Sequence, residues 1–304
     1  MRSAPQAIVG VGELLWDMLP GGRQLSGAPA NFACMISALG DGGVVASRIG
    51  ADALGDESLR QLQSSGIDTS HVQRDEEQPT GTVQVRVGAD GPPNFTITGG
   101  AAWDQLAWTP QWEDLAARAD AVCFGTLAQR APAARETILR FLRGTRPKAL
   151  RVFDVNLRQD FYSAEIVAES LRAATVVKLN HEELPRVAEM LELGGRGEHA
   201  VANRLIQVFD LKLVCITRGA RGSLLVSEDE MVEHPGVPVA VADTVGAGDA
   251  FTAALVYHYL RGASLEKMSA AANRLGSWMA SQPGATPIVP ASVLDSVREG
   301  HETR

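Results

Sequence analysis

The chain reads as an α/β protein built on a mainly parallel sheet wrapped by helices, and three observations predict it. Short β-like apolar runs alternate with segments of helical periodicity along most of the 304 residues. Hydrophobic side chains make up 45% of the chain, enough for one large core in a single domain spanning 1–304. Polar residues then collect just after the apolar runs, where open α/β sheets bind ligands.

Strands are expected near 7–12, 43–49, 120–125, 149–155, 175–179 and 212–217, with helices between them. Residues 13–26 resemble a pair of short strands turning at Pro20-Gly21-Gly22. A helix follows from Gly27 with Pro29 in its opening turn and Gly40 as its stop. Thr80-Gly-Thr-Val-Gln-Val-Arg-Val87 alternates strictly, Gly88 to Pro93 makes a turn, and Asn94-Phe-Thr-Ile-Thr98 returns as a hairpin. Together 13–26 and 80–101 would form a small β flap over the main sheet, serving as a water-excluding lid, a surface decoration or a dimer clasp. Segment 132–143 starts at Pro132 with Ile138, Leu139 and Leu142 on one face, and 264–281 carries the stripe Met268, Ala271, Leu275, Met279. No internal repeat, low-complexity stretch or interdomain linker interrupts the pattern.

Charge and composition exclude several functions. A formal charge of −8 with no basic run speaks against nucleic acid or anionic membrane as the main partner. Cys34, Cys123 and Cys215 are widely spaced within apolar runs, as reduced core residues are, and the six histidines form no ligand pair. No stretch approaches a membrane span, and the opening residues leave no room for a secretory apolar region, so a cytoplasmic location is expected.

The most informative stretch is Asp243-Thr-Val-Gly-Ala-Gly-Asp249-Ala-Phe251. A glycine turn opens an apolar helix running to about Leu260, so unpaired amides and the positive helix end form an anion site without a lysine. A carboxylate at Asp249 would repel that anion. It is either a helix cap or a base that takes a proton from a hydroxyl attacking a phosphate. Other polar residues follow strands: Asp154-Val-Asn156-Leu-Arg158, Asn180-His-Glu-Glu183, and Thr217-Arg-Gly219-Ala-Arg-Gly222. Each alone has a local explanation as a turn former, a capping box or a tight connection. Their shared edge points to one crevice. Asp17 and Asn31 add a carboxylate and an amide of the kind that grip sugar hydroxyls, and Asn31 is equally a helix cap.

In order and spacing, Gly27-Ala-Pro-Ala-Asn31-Phe-Ala33, Asn180-His-Glu-Glu183, Thr217-Arg-Gly-Ala-Arg-Gly222 and Asp243-Thr-Val-Gly-Ala-Gly-Asp249-Ala-Phe251 resemble the ribokinase-like (phosphofructokinase B type) carbohydrate kinases. The likeness covers nearly the whole chain, and its last motif is the specific one. It implies transfer of the ATP γ-phosphoryl group to a sugar hydroxyl, on a doubly wound sheet with a β lid. By that similarity Asp249 is the catalytic base, with the amides of Gly246, Ala247 and Gly248 as anion hole. Asp17, Gly27, Asn31 and Arg158 hold the sugar. Asn180 and Glu183 lie near the Mg²⁺-bound phosphates, Thr217, Gly219 and Gly222 near the nucleotide, and Asn273 on the helix flanking the adenine. Asp243 resembles the start of a monovalent-cation (K⁺) loop. Ser26 and Val245 depart from the family pattern without removing a reacting group. No Gly-x-x-x-x-Gly-Lys-Ser/Thr occurs, which excludes a P-loop mechanism.

Gly12-Glu-Leu-Leu-Trp-Asp17 paired with Gly27-Ala-Pro-Ala-Asn31 is similar to fructokinases and to 2-keto-3-deoxygluconate kinases, and Ala102-Trp103-Asp104 resembles fructokinases, so fructose is the expected acceptor. The remaining candidates are 2-keto-3-deoxygluconate, ribose, a nucleoside, or a non-catalytic sugar- or nucleotide-binding role. Trp103 would close over the sugar's apolar face or anchor the flap to the core. Arg86, in the hairpin, would meet an acidic sugar or face solvent. A homodimer through the flap is a further expectation.

Overall fold

The computed structural model describes residues 5–86 and 94–300. The expected turn at 88–93 and the side chain of Arg86 lie outside the described residues. The chain opens with β1 (Ala7–Val11), β2 (Leu15–Leu19), β3 (Gly22–Ser26), α1 (Ala28–Ala38), β4 (Gly42–Gly50), α2 (Ala53–Ser64) and β5 (Val72–Asp75). It continues through β6 (Gly81–Arg86), β7 (Asn94–Ile97), α3 (Pro110–Arg118), β8 (Ala121–Phe124), α4 (Pro132–Gly144), β9 (Leu150–Asp154), α5 (Ala164–Ala173) and β10 (Val176–Asn180). The last third holds α6 (Glu183–Met190), α7 (Glu198–Phe209), β11 (Leu213–Thr217), β12 (Ser223–Val226), β13 (Met231–His234), α8 (Ala247–Tyr259), α9 (Leu265–Ala280) and α10 (Ala291–Glu299).

Nine strands form one sheet in the order β13-β12-β11-β10-β9-β8-β1-β4-β5. Its pairs are parallel from β5 through β11, and β12 and β13 add antiparallel at one edge. Alternate residues of the parallel strands feed two separate cores. Val9, Val11, Val122, Phe153 and Val177 face one, which α3 to α7 cover, and Ile8, Val45, Val152, Val176 and Leu213 face the other, beneath α1, α8 and α9. A parallel strand buried on both faces is apolar throughout, which is why these runs were readable as strands. Cys34, Cys123 and Cys215 are free and buried.

The flap is a second sheet, β3-β2-β6-β7. Both expected strand pairs are present, β2 with β3 and β6 with β7, and the two join through a parallel β2–β6 pairing. Asp52 caps α2 through Gly55 N–H at 2.8 Å and also accepts from Thr80 N–H at 2.8 Å, tying the flap's third strand to the main body. Trp103 is fully buried in a short 3₁₀ turn, Ala102–Gln105, at the flap's base. The Arg130 guanidinium stacks 3.9 Å from the Trp103 ring, and Gly81 approaches the indole nitrogen so closely that a Cβ there would lie 2.3 Å from it. This geometry makes Trp103 an anchor of the flap; contact with a ligand would first require uncovering it.

Two missing side chains set the height of α1. A Cβ on Gly10 of β1 would lie 2.1 Å from Pro29 O, and one on Gly43 of β4 would lie 2.1 Å from Ala33 O. The helix therefore rests on bare sheet backbone, and its first turn arrives at the carboxyl end of β1. Gly43→Ala is expected to lift α1 and lower stability by about 1–3 kcal/mol, as overpacking does, measured by urea denaturation. An unchanged midpoint would show that the close approach is not a constraint.

Candidate active site

The carboxyl ends of β1, β8, β9 and β10 meet the N-terminal turns of α1 and α8 in a crevice lined by Ala28, Gly125, Asp154, Asn156, Asp249 and Thr252. Gly246 is the N-cap of α8 in a left-handed conformation, φ 76°, which a glycine adopts at little strain. The amides of Gly246, Gly248 and Asp249 have no acceptor among the described residues, whereas Ala247 N–H makes a long 3.3 Å bond to Thr244 O. Open amides at a helix N-terminus suit a phosphate, so the residues present fit a nucleotide's transferring group.

Asp249 sits in that first turn and is half-buried, lining the crevice. Asn31 in α1 donates from Nδ2 to Asp249 Oδ2 at 2.9 Å, fixing the carboxylate across the two helices. Asn31 Oδ1 is buried without a partner, which leaves it an acceptor for a hydroxyl. Burial and the neighbouring Asp154 charge push the Asp249 carboxyl up to about 6, against the opposing effects of the Asn31 hydrogen bond, Lys178 and Arg158. A carboxylate held near neutrality is suited to accept a proton.

Around this pair, the sugar-side candidates converge in part. Gly27 is the N-cap of α1 at φ 126°, packed against Glu13 O. Asp17 on β2 reaches in from the flap; burial raises its carboxyl, partly offset by a hydrogen bond with Ser26 and by Arg158. Arg158 is exposed and electrostatically coupled to Glu13, Asp17 and Asp249. Trp103 stands apart at the flap's base.

The nucleotide-side candidates occupy the ends of β10 and β11. Asn180 Oδ1 accepts from Glu182 and Glu183 N–H, both at 2.9 Å, while Glu183 Oε2 accepts from Asn180 N–H at 2.8 Å, a reciprocal capping box. Glu183 Oε1 takes Leu157 N–H at 2.8 Å, so this buried carboxylate also shapes the loop bearing Arg158. Thr217 ends β11 and Gly219 opens a 3₁₀ turn. Gly222 lies against the backbone of His234 and Gly236, where a Cβ would meet His234 O at 1.9 Å. Asn273 is buried, and its Nδ2 donates to Ser223 Oγ at 2.7 Å and Ser269 O at 2.8 Å, binding α9 to β12 below that turn. Asp243 closes a loop through Val245 N–H at 3.0 Å and Gly284 N–H at 3.3 Å. Among the described residues no three of His, Cys, Asp and Glu gather around one point. A Mg²⁺ ion here would therefore be carried chiefly on nucleotide phosphates and water, as this ion often is.

Two charged residues in this region escaped the sequence reading. Lys178 is buried with Nζ 3.0 Å and 3.1 Å from the two Asp154 oxygens. Its signal was a lysine inside the apolar run Val176-Val-Lys178-Leu, which a buried strand tolerates only with a partner. Glu13 follows β1 directly and is buried, with Oε2 unpartnered. Burial pushes its carboxyl up to about 7, aided by Asp249 and opposed by backbone hydrogen bonds and Arg158.

Glu13 makes a signed prediction. Its carboxyl ionises near 4.5 as a free side chain and near 7 in the folded protein, so the folded state holds the proton more tightly. The stability it contributes is complete below pH 4.5 and is lost as pH rises through 7, a change of about 3 kcal/mol. Glu13→Gln is therefore expected to be more stable than the parent at pH 8 and to lose that advantage toward pH 5, by denaturant midpoints. A pH-independent difference would contradict the assignment.

A model of the pfkB family carbohydrate kinases matches residues 21–292. The uncharacterized sugar kinase of Pyrococcus horikoshii is 30% identical over 97% of this chain and 96% of its own length. The fructokinase of Salmonella typhimurium is 31% identical over 81% and 82%. Among solved structures, the Pyrococcus protein in complex with ATP superposes with a TM-score of 0.78 at 27% identity, covering 95% of this chain and 99% of that one. The ATP-bound fructokinase of Xylella fastidiosa shares the fold at a TM-score of 0.83 and 23% identity, covering 97% and 98%. With the family model spanning most of its length, the chain belongs to the pfkB family of carbohydrate kinases.

Proposed function

We propose that this kinase transfers the γ-phosphoryl group of ATP to a hydroxyl of an unphosphorylated sugar, with fructose the first candidate. The observation that carries the reading is Asp249, fixed by Asn31 at 2.9 Å and held near neutrality beside the open amides of Gly246 and Gly248. Phosphoryl transfer asks mainly for alignment and charge stabilisation. In this account the α8 amides orient the phosphoryl group, Asp249 accepts the proton of the acceptor hydroxyl, and Asp17, Asn31 and Arg158 orient the sugar. Asn180, Thr217, Gly219 and Gly222 frame the nucleotide. Mg²⁺ brought in with ATP would neutralise phosphate charge, with Asn180 and Glu183 the residues nearest to it. The loop closed by Asp243 is the candidate K⁺ position.

Fructose is favoured by the fructokinases among the relatives, including that of Salmonella typhimurium. A homodimer through the flap is supported by Leu19 and Phe95, 41% and 50% exposed on its strands. No helix among the described residues is long and apolar enough to cross a membrane, and ATP as a substrate favours a cytoplasmic location.

The test is ADP release at fixed Mg–ATP across fructose, 2-keto-3-deoxygluconate, ribose and adenosine, with Asp249→Asn beside the parent. Fructose is expected to turn over fastest. The variant is expected to bind ATP while turning over about 10²–10⁴-fold more slowly. Near-parental turnover by the variant would remove Asp249 as base. Tight sugar binding without turnover of any acceptor would favour the non-catalytic role.

A further inference from the structure

The buried ion pair beneath the first turn of α8 has a place in the chemistry as well as in packing. Lys178 on β10 binds both oxygens of Asp154 on β9, and Asp154 Oδ2 also accepts from Thr252 Oγ1 at 3.2 Å. The single Thr252 hydroxyl proton is shared with Gly248 O, at 2.9 Å, so one side chain lies between Asp154 and the turn that carries Asp249. The ammonium lies directly under that turn: a Cβ on Gly248 would stand 2.8 Å from Lys178 Nζ. Both charged side chains are buried, at 9% and 6% exposure, so water screens them little.

The groups that face Asp249 come from every neighbouring element. They are Glu13 after β1, Asn31 from α1, Cys123 from β8, Asp154 and Arg158 from β9 and its loop, and Lys178 from β10. Lys178 also faces Glu183 from α6 and Cys215 from β11. Burial works against its ammonium, yet Asp154, Glu183 and Asp249 together hold its proton above the ordinary lysine range. The cation is therefore a permanent charge at any working pH. Asp154 raises the proton affinity of Asp249 and Lys178 lowers it.

We propose that Lys178 and Asp154 are positioning residues that act as a matched charge pair, setting the acidity of Asp249 while the Thr252 link fixes the turn that presents it. The proposal rests on the reading of Asp249 as the base. An isolated Asp154 would leave Asp249 protonated in the range where it must accept a proton, and an isolated Lys178 would weaken it as a base. Paired, the two act on Asp249 in opposite directions, Asp154 the more strongly.

The experiment is the pH profile of kcat/KM for the turned-over sugar, at saturating Mg–ATP, for Lys178→Met, Asp154→Asn and the double variant. Lys178→Met is expected to move the acidic limb up by about 1–3 units and Asp154→Asn to move it down, the usual reach of one nearby charge. The double variant is expected to return the limb to within about half a unit of the parent, the two effects on one group cancelling. Should one single variant, with its bare buried charge, fail to fold, the other carries the test, since a limb displaced in its expected direction supports the pair and an unmoved limb overturns it. Folded variants that bind ATP and lose rate with the limb unmoved would reduce the pair to a structural role, and a displaced limb in the double variant would equally overturn the proposal. Neither result would be confused with failure of the base assignment, which shows itself as turnover retained by Asp249→Asn.

Discussion

A helix N-terminus that holds an anion and a carboxylate in the same turn contains a conflict, because the carboxylate repels what the amides attract. In this kinase the conflict is resolved by the hydrogen bond from Asn31 to Asp249, which holds the carboxylate across two helices. Burial then raises its proton affinity, pushing the carboxyl up to about 6, as the proposed role of base requires. Specific contacts with the sheet set the heights of α1 and α8 on either side of that bond. Gly10 and Gly43 let α1 rest on the sheet backbone, and the Lys178–Asp154–Thr252 chain ties the first turn of α8 to β9 and β10.

The same arrangement explains why the crevice is a costly place for the fold. Glu13 and Asp249 both hold protons more tightly in the folded protein than as free side chains, so the crevice opposes stability as pH rises. Large paired cores on either face of a nine-stranded sheet offset that cost. The flap buries Leu15, Trp16, Leu25 and Val83 in the two cores and is also fastened by specific contacts, Asp52 to Thr80 and the stacking of Arg130 on Trp103.

Much of this was legible in the chain. Runs such as Leu150-Arg-Val-Phe and Leu213-Val-Cys-Ile announce strands buried on both faces, and Pro132 and Ser264 mark helix starts that the structure repeats. The two flap hairpins were visible from alternation and glycine turns, but their parallel junction through β2 and β6 was not, since alternation does not say which strand is the neighbour. The strands β5, β12 and β13, at the two edges of the sheet, were missed for a similar reason: four residues each carry too little pattern. Within the candidate site, polar residues after strands were easy to find. Lys178 and Glu13 were not, because their meaning lies in partners far along the chain, Asp154 for the one and Asp249 and Arg158 for the other. Trp103 reads equally as ligand contact or anchor until its burial is known.

The central claim is geometric: one turn of α8 binds the transferring phosphoryl group through its amides and presents Asp249 to the attacking hydroxyl. A crystal structure of the ternary complex with a non-hydrolysable ATP analogue and the acceptor sugar measures this directly. The account predicts terminal phosphate oxygens on the amides of Gly246 and Gly248 and the acceptor hydroxyl about 3 Å from an Asp249 oxygen. An acceptor hydroxyl lying against Glu13 or Asp17 instead, with Asp249 facing away from it, would contradict the account.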